Sequence, residues 1–169
     1  MKIVKNEPLV SIIITNYNKS KFILDSINSC LNQNYKKKEI IFFDDKSSDG
    51  SLNKIKFFKK QKGENFRILT NFKKTKNSGP INQILAIKKS LKLAKGKYIF
   101  LLDADDFFHK NKIRKITNSF NKNKNRKVIL DQPIYKCKTK EFKKKYYNVK
   151  VKNKWPKFPP TSCMCFEKK

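Results

Sequence analysis

The chain has 169 residues, 38% of them hydrophobic and 12% aromatic, which suits one folded domain and excludes a disordered chain. Its net charge of +29 attracts polyanions, but the charge is spread along the chain and Lys outnumbers Arg more than tenfold, so no specific nucleic-acid partner is expected and an anionic membrane surface is. No apolar run approaches the roughly 20 residues that span a bilayer, and Met1 to Pro8 lacks the features of a signal peptide, which predicts a cytoplasmic protein, peripheral at the inner face of the membrane.

Leu9 to Thr15 is β-branched and nearly continuous, as in a strand covered on both faces. It ends in Asn16-Tyr17-Asn18. Ser20 is the expected cap of a helix whose apolar positions are Ile23, Ile27, Cys30 and Leu31. Glu39 to Phe43 reads as a second strand. A helix capped by Ser48 or Asp49 follows, with Leu52, Ile55 and Phe58 inward. Phe66 to Thr70 is a third, short strand. Asn77-Ser78-Gly79-Pro80 turns into a helix with an inward stripe of Ile81, Ile84, Ile87 or Lys88, Leu91 and Ala94, ended by Gly96. Tyr98 to Leu102 is a strand, Ile113, Ile116 and Phe120 mark a helix, and Val128 to Leu130 is a strand. Strands alternating with helices predict βαβ units and a mostly parallel central sheet flanked by helices. Beyond about residue 136 the pattern changes. Tyr147, Val149 and Val151 alternate as in a surface strand or hairpin, Pro156, Pro159 and Pro160 break any helix, and Thr161 to Phe166 reads as a last strand.

Cys30 falls on a helix face and reads as core. Cys163 and Cys165 are too closely spaced for zinc, with no His nearby, and with Cys137 they form no disulfide framework in a reducing compartment.

Two acidic clusters end apolar runs. Asp103-Ala104-Asp105-Asp106 follows a buried strand, and ligands of open α/β sheets bind beyond strand carboxyl ends. Acid-x-acid at such a place puts Asp103 and Asp105 within reach of one Mg²⁺ or Mn²⁺, which leave positions open for a substrate phosphate. The competing reading is a polar loop ahead of a helix. In the second cluster, Asp44-Asp45 with Asp49, a carboxylate at a cleft mouth accepts hydrogen bonds from a base N–H or ribose hydroxyls. Asp45 is favoured for that role and Asp49 for a helix cap, with Asp44 also a donor-side candidate. Thr15, Tyr17 and Asn18 offer polar groups and an aromatic that stacks on a nucleobase or simply packs over the loop. His109 is read either as a substrate contact or as a solvated residue at a helix start.

Three ordered motifs resemble the family 2 glycosyltransferases of the GT-A fold: Val10 to Asn18, the Asp-Asp-x-Ser-x-Asp-Gly-Ser of residues 44–51, and Ala94 to Asp106. The resemblance covers roughly residues 8 to 130. It implies a Rossmann-like fold, a nucleotide-diphospho-sugar donor, Mg²⁺ or Mn²⁺, and inverting transfer to a saccharide or lipid-linked acceptor. It implies that Thr15 and Tyr17 border the nucleobase, that Asp45 contacts the base, that Asp103 lies at the ribose or metal, and that Asp105 binds the metal.

The chain departs from that pattern in three places. Thr15 stands where a Pro is usual. The segment from Gly79 to Gly96 is longer than usual and lacks an Ala-Arg-Asn. The family's catalytic Asp or Glu normally lies downstream of a segment like Pro160 to Phe166. Residues 1–136 are therefore expected to form the donor-binding domain and 137–169 an incomplete start of the acceptor side, with the general base missing beyond Phe166. Two rival readings stand beside this one: a non-catalytic nucleotide-sugar-binding remnant, and a basic nucleic-acid-binding protein.

Overall fold

A computed structural model describes residues 7–71, 78–131 and 161–168. The expected hairpin around Tyr147 to Val151, the prolines 156 to 160, Cys137 and Asn77 lie outside the described residues. The elements run β1 (Val10–Asn16), α1 (Ile23–Leu31), β2 (Lys38–Asp44), α2 (Ser51–Lys62), β3 (Arg67–Thr70), α3 (Gly79–Leu93), β4 (Tyr98–Asp103), α4 (Lys112–Lys122), β5 (Val128–Leu130), a 3₁₀ turn (Thr161–Cys163) and β6 (Met164–Glu167). Among the described residues no helix is long and apolar enough to cross a membrane.

The six strands form one sheet in the order β3-β2-β1-β4-β6-β5. β1 pairs in parallel with β2 on one side and β4 on the other, and β3 extends the parallel part. β6 enters between β4 and β5, antiparallel to both. Alternation along β1 separates two cores. Ile12 and Ile14 join Ile27 of α1, Ile55 of α2 and Phe120 of α4 on one face. Ile13 joins Ala94, with Ile87 and Leu91 of α3, on the other. Helix α3 thus carries the chain across the sheet from its β3 edge to β4. Strand order reverses between β1 and β4, and a crevice opens at the carboxyl ends there.

Local details correct four expectations. Ser20 does not cap α1: the cap position is Phe22, without a side-chain bond, and the Ser20 N–H instead donates to Asp49 at 2.7 Å. Gly50, with φ +83°, sits at the cap position of α2, while the Asp49 carboxylate accepts from the Ser51 N–H at 3.0 Å. The inward stripe of α3 is Ala86 and Ser90, supported by Ile87 and Leu91, so Ile81 and Ile84 face outward. The expected stripe holds at Ile87, Leu91 and Ala94 and fails at Ile81 and Ile84, because the first two turns carry apolar residues on the outer face. Helix α3 ends at Leu93, ahead of Gly96. The reason for Gly96 is close approach, because a Cβ there would lie 2.6 Å from the Val10 carbonyl carbon in β1.

Candidate functional site

The crevice at the carboxyl ends of β1, β2 and β4 is a cleft of about 450 Å³. Its walls come from the end of β1 and the loop after it (Thr15, Asn16, Tyr17, Lys19), the loop after β2 (Asp45), the end of β4 and the loop after it (Asp103, Ala104, Asp105) and the first turns of α3 (Gly79, Asn82, Gln83).

Asp103 ends β4 opposite Thr15 of β1. Its Oδ1 accepts from Gln83 Nε2 at 2.5 Å and from Thr15 Oγ1 at 3.3 Å. Its backbone N–H donates to Ser162 Oγ at 3.0 Å, and Ser162 Oγ donates to Asp106 Oδ2 at 2.5 Å. Burial, followed by the nearby charges of Asp106 and Asp105, pushes the Asp103 carboxyl up to about 6, against the pull of the Thr15 and Gln83 hydrogen bonds. A carboxylate pushed upward this way favours a cation beside it.

Asp105 lies 2.6 Å from Lys19 Nζ. The hydrogen bond from that ammonium to Asp105 raises the Lys19 pKa against the opposing effect of its partial burial, and the charges of Asp105, Asp103 and Asp106 add to the rise. Lys19 therefore holds positive charge among three acids.

Across the cleft, Asp45 Oδ1 accepts from Asn71 Nδ2 at 2.5 Å, and Asn71 Oδ1 accepts from Lys89 Nζ at 2.5 Å. Asn16 is buried in the cleft wall. Its Nδ2 donates to Asp44, while its Oδ1 is buried with no partner among the described residues.

Thr15, Tyr17, Asp45, Asp103 and Asp105 are thus brought together on one cleft. Asn18 and Asp44 are placed elsewhere. Asp44 is 0% exposed and accepts from Asn16 Nδ2 at 2.7 Å and from the Ser47 N–H at 3.0 Å. Asn18, with φ +54°, accepts from the Ser48 N–H at 2.8 Å and donates its own N–H to Ser47 Oγ at 3.0 Å. Both brace the β1 loop against the β2 loop instead of lining the cleft. His109 is exposed ahead of α4, outside the lining.

Sequence reasoning missed Lys19, Asn82 and Gln83. The signal for the last two was available, since polar residues in the first turn of a helix that starts at the carboxyl edge point at the crevice. Ser162 gave no such signal, being 59 residues from Asp103.

Among the described residues no three His, Cys, Asp or Glu converge as a metal cage. Two carboxylates on an open cleft are nonetheless the oxygen donors that Mg²⁺ and Mn²⁺ take when a substrate phosphate and water complete the shell. The residues present fit such an ion.

Fold and cleft together define an α/β domain with an open cleft at its topological switch point. The chain belongs to glycosyl transferase family 2, whose family model matches residues 11–167. It is 40% identical over 108 residues to the Escherichia coli enzyme named UDP-Glc:alpha-D-GlcNAc-diphosphoundecaprenol beta-1,3-glucosyltransferase WfaP, covering 62% of this chain and 38% of that one. The fold is the GT-A fold. A Pyrobaculum calidifontis mannosyltransferase, solved with GDP-Man and Mn²⁺, superposes with a TM-score of 0.67 at 16% identity, over 77% of this chain and 37% of that one. Staphylococcus aureus TarS (residues 1–349), solved with UDP, superposes with a TM-score of 0.60 at 21% identity, over 76% and 38%. Among the first curated relatives, the chain spans from 14% to 42% of their length.

Proposed function

We propose that the cleft binds a nucleotide-diphospho-sugar, with Mg²⁺ or Mn²⁺ at Asp103 and Asp105, for transfer of the sugar to a lipid-linked or saccharide acceptor. The observation that carries this reading is the convergence of Asp45, Asp103 and Asp105, from two strand ends, on the one cleft at the strand-order reversal. The names of WfaP and of the two solved neighbours, with their nucleotide sugars, UDP and Mn²⁺, support it.

In this reading Tyr17, half-exposed at the mouth, stacks on the nucleobase. Asp45, held by Asn71, accepts from a base N–H. Thr15 and Gln83 hold Asp103 in one orientation. When bound, the ion offsets negative charge developing on the leaving diphosphate. Lys19, paired with Asp105 at the cleft, adds a positive charge beside the place of the diphosphate.

Asp45, Asp103 and Asp105 all have donor-side roles here, and among the described residues the cleft lining holds no further acid to serve as acceptor base. Loss of a positioned base costs about 10²- to 10⁴-fold in rate. The chain alone is therefore expected to bind donor and to hydrolyse it slowly, with little transfer. Calorimetric titration with UDP and GDP, in Mn²⁺ and in EDTA, tests the binding step. Equal affinity in both would sink the metal assignment. No binding of either nucleotide, with or without metal, would sink the donor reading. Product analysis with nucleotide sugars and lipid-linked acceptors tests the transfer step, and rapid transfer would place the base within this chain.

A further inference from the structure

Helix α3 has two apolar faces. The inner one packs on the sheet through Ala86, Ile87 and Leu91. The outer one carries Ile81, Ile84 and Leu85, which are 50%, 64% and 36% exposed. Lys88 and Lys92 continue the same face, also exposed. The spacing 81, 84, 85, 88 and 92 is i, i+3, i+4, i+7 and i+11, so the five side chains share one side of the helix. Among the described residues neither Lys88 nor Lys92 has an acidic partner. Burying such residues against the sheet is ruled out, because α3 already places its other side there.

Three large aliphatic side chains with two unneutralised lysines on one exposed helix face match a surface that is apolar beneath and negative at its headgroups. A protein of net charge +29 approaches such a surface readily. We infer that the outer face of α3 docks on an anionic lipid bilayer, with Ile81, Ile84 and Leu85 entering the interface and Lys88 and Lys92 contacting lipid phosphates. The aliphatic residues occupy the first two turns of α3, the same turns from which Asn82 and Gln83 line the cleft. Docking would therefore hold the cleft about one helix diameter, ~10 Å, from the headgroups, where a lipid-carried acceptor is presented. The inference rests on the surface of α3 and stands apart from the donor reading.

The test is flotation of the whole chain with vesicles of phosphatidylcholine alone or mixed with phosphatidylglycerol, at low and high salt. Diffuse charge alone would bind anionic vesicles, so the discriminating variants, Ile84→Asn and Ile81→Asn, keep net charge constant. Ile84→Asn is expected to lower the partition coefficient on phosphatidylglycerol vesicles by about tenfold, the loss of most of one buried aliphatic side chain. Ile81→Asn should act in the same direction and provides a second reading of the same face. Lys88→Gln with Lys92→Gln should cost about tenfold or more at low salt and little at high salt. Phe57→Asn is the control, since Phe57 is 67% exposed on α2, away from this face. It should leave binding unchanged.

Wild-type partitioning when Ile84 and Ile81 are both replaced would overturn the inference, as would an equal loss in Phe57→Asn. Failure of the wild-type chain to float would also overturn it. So would a dimer in solution that Ile84→Asn dissociates, which would assign the face to a second copy. Loss of nucleotide binding with flotation intact would count against the donor reading only.

Discussion

The two acidic loops look alike in sequence and behave differently in the fold. In the loop after β2, Asp44 and Asp49 are engaged by the chain itself. Asp44 accepts from Asn16 and from the Ser47 N–H. Asp49 accepts from the backbone N–H groups of Ser20 and Ser51. Only Asp45 reaches the cleft. In the loop after β4, Asp103 and Asp105 both line the cleft, and only Asp106 turns away, to Ser162. The difference follows from where unsatisfied backbone donors lie. The β2 loop leads at once into α2, whose first N–H groups need acceptors. The β4 loop is followed by an open stretch before α4, so its carboxylates crowd one another instead, and the crowding appears in the upward shift at Asp103.

The largest effect that would break this comparison is on metal-dependent binding. Asp105→Ala is expected to remove the Mn²⁺ enhancement of UDP binding, exceeding the roughly 10- to 100-fold loss that follows removal of an outer-shell partner. Asp44→Ala should leave the enhancement in place yet destabilise the fold by about 2 kcal/mol, because it removes the acceptor of the Ser47 N–H and one of the two acceptors of the buried Asn16 amide. Calorimetry and urea unfolding on both variants check the pair. A metal effect lost in Asp44→Ala and kept in Asp105→Ala would invert the assignment of the two loops.

The parallel sheet was legible in the sequence because each strand is a short apolar run flanked by turn residues. The cleft was legible because carboxylates follow two of those runs. What could not be read was the direction of adjacent acids. Asp44 and Asp45 are consecutive, and strand alternation sends one inward and one outward, but only the register of β2 against β1, with Asp44 opposite Asn16, decides which. Helix α3 misled only in its first two turns, where Ile81 and Ile84 make the outer face apolar, while Ile87, Leu91 and Ala94 pack inward as expected. Ser162 was invisible because it reaches Asp103 through β6, a strand that inserts antiparallel beside β4.

The next effect sharpens the comparison through pH. The folded-state carboxyl of Asp103 sits at about 6, raised from 3.8. As pH rises from about 4 to 6, the unfolded chain has released this proton while the folded chain still holds it, so stability falls across that window and then levels off. The cost above pH 6 is about 3 kcal/mol for a shift of this size. In EDTA, Asp103→Asn should therefore be the more stable protein above pH 6, with the gap closing toward pH 4. Adding Mn²⁺ and UDP should reverse the order, because only the wild-type carboxylate gains a cation. Urea unfolding across that range is the measurement. A gap that persists unchanged at pH 4 would show that charge at Asp103 is not its source.

The smallest effect falls on Asp49. Its carboxyl is held below the usual range: slight burial works against this, and the hydrogen bonds from Ser51 and Ser20 outweigh it. For a carboxylate shifted downward, the stabilisation is present above its unfolded pKa and is lost as pH falls through the folded value. Asp49→Ala should cost about 1 kcal/mol at neutral pH, the usual net value of a hydrogen bond, through the lost bonds from Ser51 and Ser20, with the deficit shrinking in acid. Asp49→Asn should recover most of it, since an amide oxygen accepts the same N–H bonds. Metal-dependent UDP binding should be unchanged in both, because Asp49 touches the chain and not the cleft. A clear fall in UDP affinity in Asp49→Asn, with its stability intact, would mean that the β2 loop presents two acids to the donor. The contrast between the loops would then lie in the number of hydrogen bonds each acid keeps while it faces the ligand.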